Sequence, residues 1–326
     1  MNRDTILKEL DTFGFCVVPD VIPADKCDEY LADFQKWHAK FKEEGDTLKI
    51  RKSVIQSYKI GHFDAAWKAR VQSKPIFAKI WGTEKLLTSV DGCALGSPPE
   101  EPEDFRGPND NWVHLDQGVK RQGRHAFQSA IYLEETTTQD HCFRVLKNSH
   151  KFHDEFFRKF PGAASRTRRF EFYKLGKAQK KWYMDKGCPL TYTPVPKGGM
   201  VIWDSRTVHD ADAPDVNRPN KDRWRCVVFV SMTPAIWADE KGIEFKRKAY
   251  ENLDLTSHWS SQGQKTFKSS KAAKRKNDRT LVVDSHTVAK LPDAAKTREA
   301  KLLMGVEEYD FDDGKPNGPP APVWID

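Results

Sequence analysis

Trp112-Val113-His114-Leu115-Asp116-Gln117 is the stretch on which the reading of the fold turns. It is short, flanked by turn-forming residues and rich in strand formers. On a strand, residues i and i+2 share a face. His114 and Asp116 therefore stand side by side, an imidazole next to a carboxylate, facing the interior or mouth of whatever barrel the strand belongs to. Such a pair supplies two of the three ligands of a facial metal triad. Alone, an HxD pair at a strand end is common by chance and fixes nothing.

Similar runs follow downstream: HAFQSAIYLEE (125–135), CFRVL (142–146), LTYTPV (190–195), GGMVIWD (198–204) and RWRCVVFVSM (223–232). Most are bounded by Gly, Pro, Asn or Asp, and several alternate. Successive short strands of this kind predict an antiparallel sandwich or barrel. Upstream, residues 4–12 read as a short helix, GFCVVP (14–19) as a brief buried strand, and Pro23 opens a long amphipathic helix. The helix carries Cys27, Tyr30, Leu31, Phe34, Trp37 and Phe41 near the helical period. Residues 53–96 mix helix and strand patterns, SPPEEPED (97–104) reads as a surface loop, and 150–186 as a basic helical insertion.

The fold class expected is mainly β with flanking helices (α+β). One domain is expected over residues 1–240, with N-terminal helices in 1–50 and the core over about 51–240. Residues 241–326 form a partly helical C-terminal extension, packed on the core or tethered to it.

The metal reading gains weight from two further segments. Lys197-Gly198-Gly199 reads as a turn, Met200–Asp204 as a strand, and His209 follows, far enough along the chain for a distal histidine to return beside the HxD pair. Two histidines and one carboxylate leave three sites open on iron. A 2-oxo acid can chelate through two and dioxygen can take the third. In the third segment, a buried strand opens with Arg223 and Arg225, and buried charge needs a partner. The far carboxylate of 2-oxoglutarate would supply one, because a guanidinium fits a carboxylate bidentately. Both arginines lie on one strand face, so either could serve. Arg225 is favoured, because Val227, two residues on, leaves room for a cosubstrate.

These segments, in this order, resemble the phytanoyl-CoA dioxygenase-like family of 2-oxoglutarate oxygenases. GFCVVPDVIPADKCDEY is similar to that family's N-terminal strand and helix. WVHLDQ resembles its HxD strand, IYLEETTTQDHCFRVLKNSH the segment that usually ends in a Pro-Gly-Ser-His turn, and KGGMVIWDSRTVH its distal-histidine strand. The likeness runs from about residue 10 to 232. It implies a double-stranded β-helix (jelly-roll, cupin-like) core, with Fe(II) held by His114, Asp116 and His209. It also implies 2-oxoglutarate and dioxygen as cosubstrates, and hydroxylation with release of succinate and CO2. Halogenating relatives carry a small residue in place of the carboxylate, so Asp116 points to hydroxylation or a related oxidation. This chain departs from the pattern in Lys147-Asn148-Ser149-His150, in Asp140–Phe143, and in APDVNRPNKD (213–222), which lengthens the link between His209 and the arginines.

Other residues are assigned by position. Gln128 lies on the strand after HxD and is expected to touch the cosubstrate or make a structural hydrogen bond. Trp112, Gln117 and Tyr132 are candidates for the substrate pocket. Asp204 and Arg206 lie on the approach to His209, and one of them is expected to orient a ligand. His150 and His153 are spaced HxxH, but His150 falls at a structural turn.

Composition sets the remaining bounds. The 326 residues are 38% hydrophobic and 11% aromatic, enough for a sizeable core. No long apolar run or apolar leader is present, so no membrane span is expected, and the protein is expected in the cell interior, in the cytoplasm. Six dispersed cysteines without a CxxC pair argue against a disulfide scaffold or zinc ribbon. The net charge of +7 is mild, with much of the excess in Lys265 to Arg279. An anionic partner would meet the chain there or at the basic 158–181 stretch. Two other readings stay open at this level: a non-catalytic jelly-roll binding module, and a nucleic-acid-associated protein that uses residues 265–279. The substrate, whether a small molecule or a macromolecule, is not encoded in any motif.

Overall fold

The computed structural model describes residues 1–44, 48, 53–98, 112–267 and 286–325. Two antiparallel sheets face one another across the centre of the molecule. The larger contains β1 (Phe15–Val18), β2 (Val54–Ile55), β3 (Leu86–Thr88), β4 (Cys93–Gly96), β6 (Phe127–Tyr132), β10 (Met200–Asp204) and β12 (Arg225–Pro234), in the order β1-β10-β6-β12-β4-β2, with β3 also paired to β12. The smaller holds β5 (His114–Leu115), β7 (Phe143–Leu146), β8 (Tyr173–Lys174), β9 (Leu190–Thr193) and β11 (His209–Ala211), in the order β8-β5-β11-β7-β9. From β4 to β7, and again from β9 to β12, sequential strands alternate between the sheets, the pattern of a double-stranded β-helix.

Alternation along each strand decides which side of the sheet a residue serves. Ala130 and Tyr132 on β6, Val201 and Trp203 on β10, and Val227 on β12 point between the sheets and pack with Phe143 and Val145 of β7. Their neighbours Phe127, Ile131, Met200, Ile202, Cys226 and Val228 point outward. That outer face is covered by α1 (Arg3–Phe13), α2 (Ala24–Glu43) and α3 (Asp64–Trp81). The predicted α2 stripe, from Cys27 to Phe41, is buried throughout. Burying each of its large side chains contributes about 1.5–3 kcal/mol.

The smaller sheet turns its outer face to the insertion, which forms α4 (His153–Lys159), α5 (Pro161–Phe170) and α6 (Lys177–Asp185). Val113, Leu115 and Val208 pack there against Phe156, Phe157 and Tyr183. The insertion also supplies β8, which pairs Lys174 with His114. The C-terminal extension forms α7 (Glu240–Asn252) and α8 (Arg298–Leu303), and it lies on the core. Trp324 bridges to Arg121, and Thr256 to Thr266. All six cysteines are buried and free. Among the described residues no helix is long and apolar enough to cross a membrane.

Candidate metal centre

Strand register brings the two histidines together. His209 on β11 lies directly opposite His114 on β5, and their ring centroids are 4.4 Å apart. Asp116 follows His114 on the same face. One ligand atom from each of the three residues lies within 4.8 Å of the others, and this is the one such group among the described residues. His114 Nε2 is 3.7 Å from Asp116 Oδ1, and His209 Nε2 is 3.4 Å from Oδ2.

The other ring nitrogen of each histidine is held by main chain. His114 Nδ1 donates to the Trp112 carbonyl at 2.7 Å, and His209 Nδ1 to the Thr207 carbonyl at 2.9 Å. A carbonyl only accepts, so Nδ1 carries the proton in both rings. Each Nε2 is left with a lone pair directed at Asp116.

The charge states suit a cation. Burial lowers the His114 imidazole to about 4, and His209 pushes it the same way. Burial alone would raise the Asp116 carboxyl, but the two histidines facing it, His114 first, outweigh burial and hold the group well below the usual range. Gln128 Nε2 donates to Asp116 Oδ2 at 3.2 Å. Two imidazoles presenting Nε2 and one ionised carboxylate, with a polar side chain steadying the carboxylate, form a donor set for a divalent ion of the iron type.

The turn that delivers His209 is braced from below. Buried Asp204 pairs with Arg124 at 2.9 Å and Arg206 at 2.7 Å, and its main chain accepts from Thr207 N. Thr207 Oγ1 donates to Gly14 O. Gly14 has φ +86°, and a Cβ there would lie 2.7 Å from Thr207 Oγ1, so only glycine lets α1 run into β1 this close to the turn. Of the two residues expected on the approach to His209, Asp204 is the one on which both arginines converge.

A cavity of about 490 Å³ opens over the three ligand atoms. Arg225 lines it, buried on β12, with Nη1 donating to the His141 carbonyl at 2.6 Å. Its Nε is buried without a hydrogen-bond partner. Arg223 does not line it; its guanidinium pairs with Asp140 at 2.8 Å and Glu135 at 2.5 Å. The long 213–222 link explains this. Arg218 from the link and Arg223 both close on Asp140 and form a separate ionic cluster.

Gln128, Tyr132 and Trp112 face the cavity as expected. Gln117 does not, which corrects its assignment to the pocket. An odd offset from His114 and Asp116 turns it to the other side. There its Nε2 donates to the carbonyls of Arg121 and Gly123, and its Oε1 accepts from Ser205 Oγ. His150 and His153 are not ligands either, contacting the carbonyls of Asp11 and Gln117.

Several cavity residues had escaped notice in the sequence. Phe172, from the insertion, lies 5.0 Å from the His114 ring. Asp91 lies between β3 and β4, and Ser257, His258 and Trp259 come from the C-terminal extension. Nothing in the polar run after residue 240 marks these three as part of a site. In the basic stretch 158–181, Arg166, Arg168 and Arg169 are exposed on α5. Of Lys265 to Arg279, only Lys265 to Phe267 fall within the described residues, and the remainder of that prediction lies outside them.

The chain is similar to several known proteins. The Ava biosynthesis cluster protein O of Aspergillus versicolor is 29% identical over 215 residues, covering 63% of this chain and 67% of that protein. Among solved structures, the epimerase SnoN in complex with Fe3+, alpha ketoglutarate and nogalamycin RO is 15% identical, with TM-score 0.46, over 72% of this chain and 84% of that one. HygX from Streptomyces hygroscopicus, with nickel, 2-oxoglutarate and hygromycin B bound, is 11% identical, with TM-score 0.45, over 71% and 86%. These structural likenesses are remote, and the fold assignment rests on the sheets themselves. A family model described as phytanoyl-CoA dioxygenase (PhyH) matches residues 10–218, a range that holds His114, Asp116 and His209 and stops short of Arg225. The match spans most of the jelly roll, and the chain belongs to the phytanoyl-CoA dioxygenase family of iron- and 2-oxoglutarate-dependent oxygenases.

Proposed function

We propose that this protein is an Fe(II)- and 2-oxoglutarate-dependent dioxygenase that hydroxylates a substrate bound in the cavity above Asp116. The observation that carries the reading is the convergence of His114 Nε2, His209 Nε2 and the Asp116 carboxylate within 4.8 Å, with both Nδ1 atoms tied to main-chain carbonyls. When bound, iron with 2-oxoglutarate and dioxygen supplies the oxidising power: one oxygen atom goes to a substrate C–H bond and the other to succinate, with CO2 released.

The chain's own residues position and shield. His114, His209 and Asp116 offer one face of ligands and leave the opposite face open. Gln128 restrains the Asp116 carboxylate through Oδ2. Arg225 receives the far carboxylate of 2-oxoglutarate, which gives its unpartnered Nε an acceptor. Phe172 and Trp112 cover His114 and keep water from that side. Asp204 and Thr207 keep His209 in register, so the distal ligand does not depend on a free loop.

Calorimetric titration with Mn(II) tests the centre without turnover. The wild-type protein is expected to bind one ion, and His209→Ala to lose most of that affinity. Binding unchanged in His209→Ala would favour a jelly-roll module that keeps the fold and does no iron chemistry.

A further inference from the structure

Asp91 sits in the turn between β3 and β4 and lines the same cavity. Its Oδ1 accepts from Gly92 N at 2.6 Å, and the Gln56 side chain donates to the carboxyl. The turn has no slack. A Cβ on Gly61 would lie 2.2 Å from the Asp91 carbonyl oxygen, and a Cβ on Gly92 would lie 2.2 Å from that of Ile55. The backbone carrying the carboxyl is therefore fixed before any ligand arrives.

The other cavity carboxyls have partners. Glu171 pairs with Arg121 at 2.6 Å and Lys265 at 2.9 Å. Asp210 pairs with Arg144 at 2.7 Å, and Asp116 meets the two histidines. Asp91 has no cation within ion-pair distance among the described residues; buried Arg70 acts on it from farther off, and more weakly than Asp116 does. Burial raises its carboxyl to about 7, and Asp116 acts in the same direction. A turn that needed only an acceptor for Gly92 N would be served by asparagine. An unpaired carboxyl facing a cavity is costly unless something brings it a positive charge.

The surrounding wall suits such a guest. Trp112, Phe172, Phe229, Trp259 and Phe267 line the cavity, and aromatic faces attract cations. An anionic substrate group would find the described cations already engaged: Lys265 by Glu171, and Arg225 by the His141 carbonyl and the carboxylate assigned to it above.

We infer that Asp91 determines specificity by receiving a protonated amine or guanidinium of the substrate, whose apolar body lies against the aromatic wall. The inference rests on the cavity being the oxygenase substrate site. Its test is kept independent of the metal. Three probes with one aromatic body, 2-phenylethylamine, 2-phenylethanol and 3-phenylpropionate, are titrated calorimetrically at neutral pH into metal-free protein with excess 2-oxoglutarate present to occupy Arg225. The amine is expected to bind about tenfold tighter than the other two. Asp91→Asn keeps an acceptor for Gly92 N and should bring the amine down to the level of the alcohol. Three outcomes would overturn the inference: an amine no tighter than the alcohol, a preference that survives Asp91→Asn, or no binding of any probe at millimolar concentration. The first and third need only the wild-type protein, so the inference stays open to refutation if Asp91→Asn does not fold. Failure of Mn(II) binding would instead strike the metal centre and leave an amine preference standing.

Discussion

His114 and His209 occupy directly opposed positions on two antiparallel strands, and each ring is tied through Nδ1 to the carbonyl two residues before it. The same local device is used twice, once from each strand, so the distance between the two Nε2 atoms is set by sheet geometry. Removing Asp116 should therefore abolish tight metal binding without disturbing the pair. Asp116→Ala is expected to weaken Mn(II) binding by more than about 100-fold, the loss of a charged ligand at a site with only three. Calorimetry reads the affinity, and a circular dichroism melt shows that the fold persists.

Gln128 Nε2 donates to Asp116 Oδ2, the same oxygen that His209 Nε2 faces at 3.4 Å. Gln128→Leu keeps the bulk and removes the donor. The expected cost is about 10- to 100-fold in metal affinity, the usual range for a group that orients a ligand. An unchanged Mn(II) affinity would show that the Asp116 carboxylate needs no such restraint.

Arg225 and Arg223 separate by a KM measurement. Arg225→Met should raise KM for 2-oxoglutarate by roughly 10- to 100-fold, since a charged hydrogen bond contributes about 1.5–3 kcal/mol. Metal affinity should not follow. Arg223→Met should instead lower stability by about 1–2 kcal/mol, because Asp140 is buried and loses one of its two arginines. A rise in KM for 2-oxoglutarate in Arg223→Met, with none in Arg225→Met, would reverse the assignment.

Gln117 offers a test of side rather than of chemistry. Its side chain makes three hydrogen bonds, two of them buried and one partly buried, all on the face away from the cavity. Gln117→Ala should cost about 2–4 kcal/mol of stability by leaving its partners unpaired, while KM for 2-oxoglutarate stays within about threefold. A large KM effect in a protein of normal stability would return Gln117 to the pocket.

Acid should destabilise the metal-free fold through a buried histidine, His62, that does not line the cavity. His62 is buried, donates through Nε2 to the Asp254 carbonyl and accepts through Nδ1 from Trp67 Nε1. Burial lowers it to about 3. The unfolded chain takes up this proton near 6.5 while the folded one resists, so the folded state holds fewer protons in that window. Stability is full above about 6.5 and falls as pH drops toward 3, by up to about 1.4 kcal/mol per pH unit for this one group. Urea melts between pH 7 and 4 should show the slope, and His62→Gln should flatten it by up to that amount. An identical slope in the variant would mean that other groups carry the acid sensitivity.

How far the sequence went is clearest at single residues. HxD was legible because period 2 makes a ligand pair of i and i+2, and the same rule, applied one residue further, turns Gln117 away. The choice between Arg223 and Arg225 stayed open because both share a face. Asp140, brought close by the folded 213–222 link, settles where Arg223 goes. No periodicity announces that His209 would land opposite His114, since register is a property of the assembled sheet. Asp91 and the His258 region were invisible for the same reason. Each is ordinary in its local sequence, and only the packing of the turn and the C-terminal extension places it over the site.

The central claim is that three side chains hold iron for 2-oxoglutarate chemistry, and succinate formation tests it most directly. Purified protein loaded with Fe(II) and supplied with 2-oxoglutarate under air should release succinate, slowly without substrate and faster with an accepted one. Asp116→Ala should release none above background. No succinate from the wild-type protein with any candidate substrate, or equal amounts from wild type and Asp116→Ala, would contradict the account.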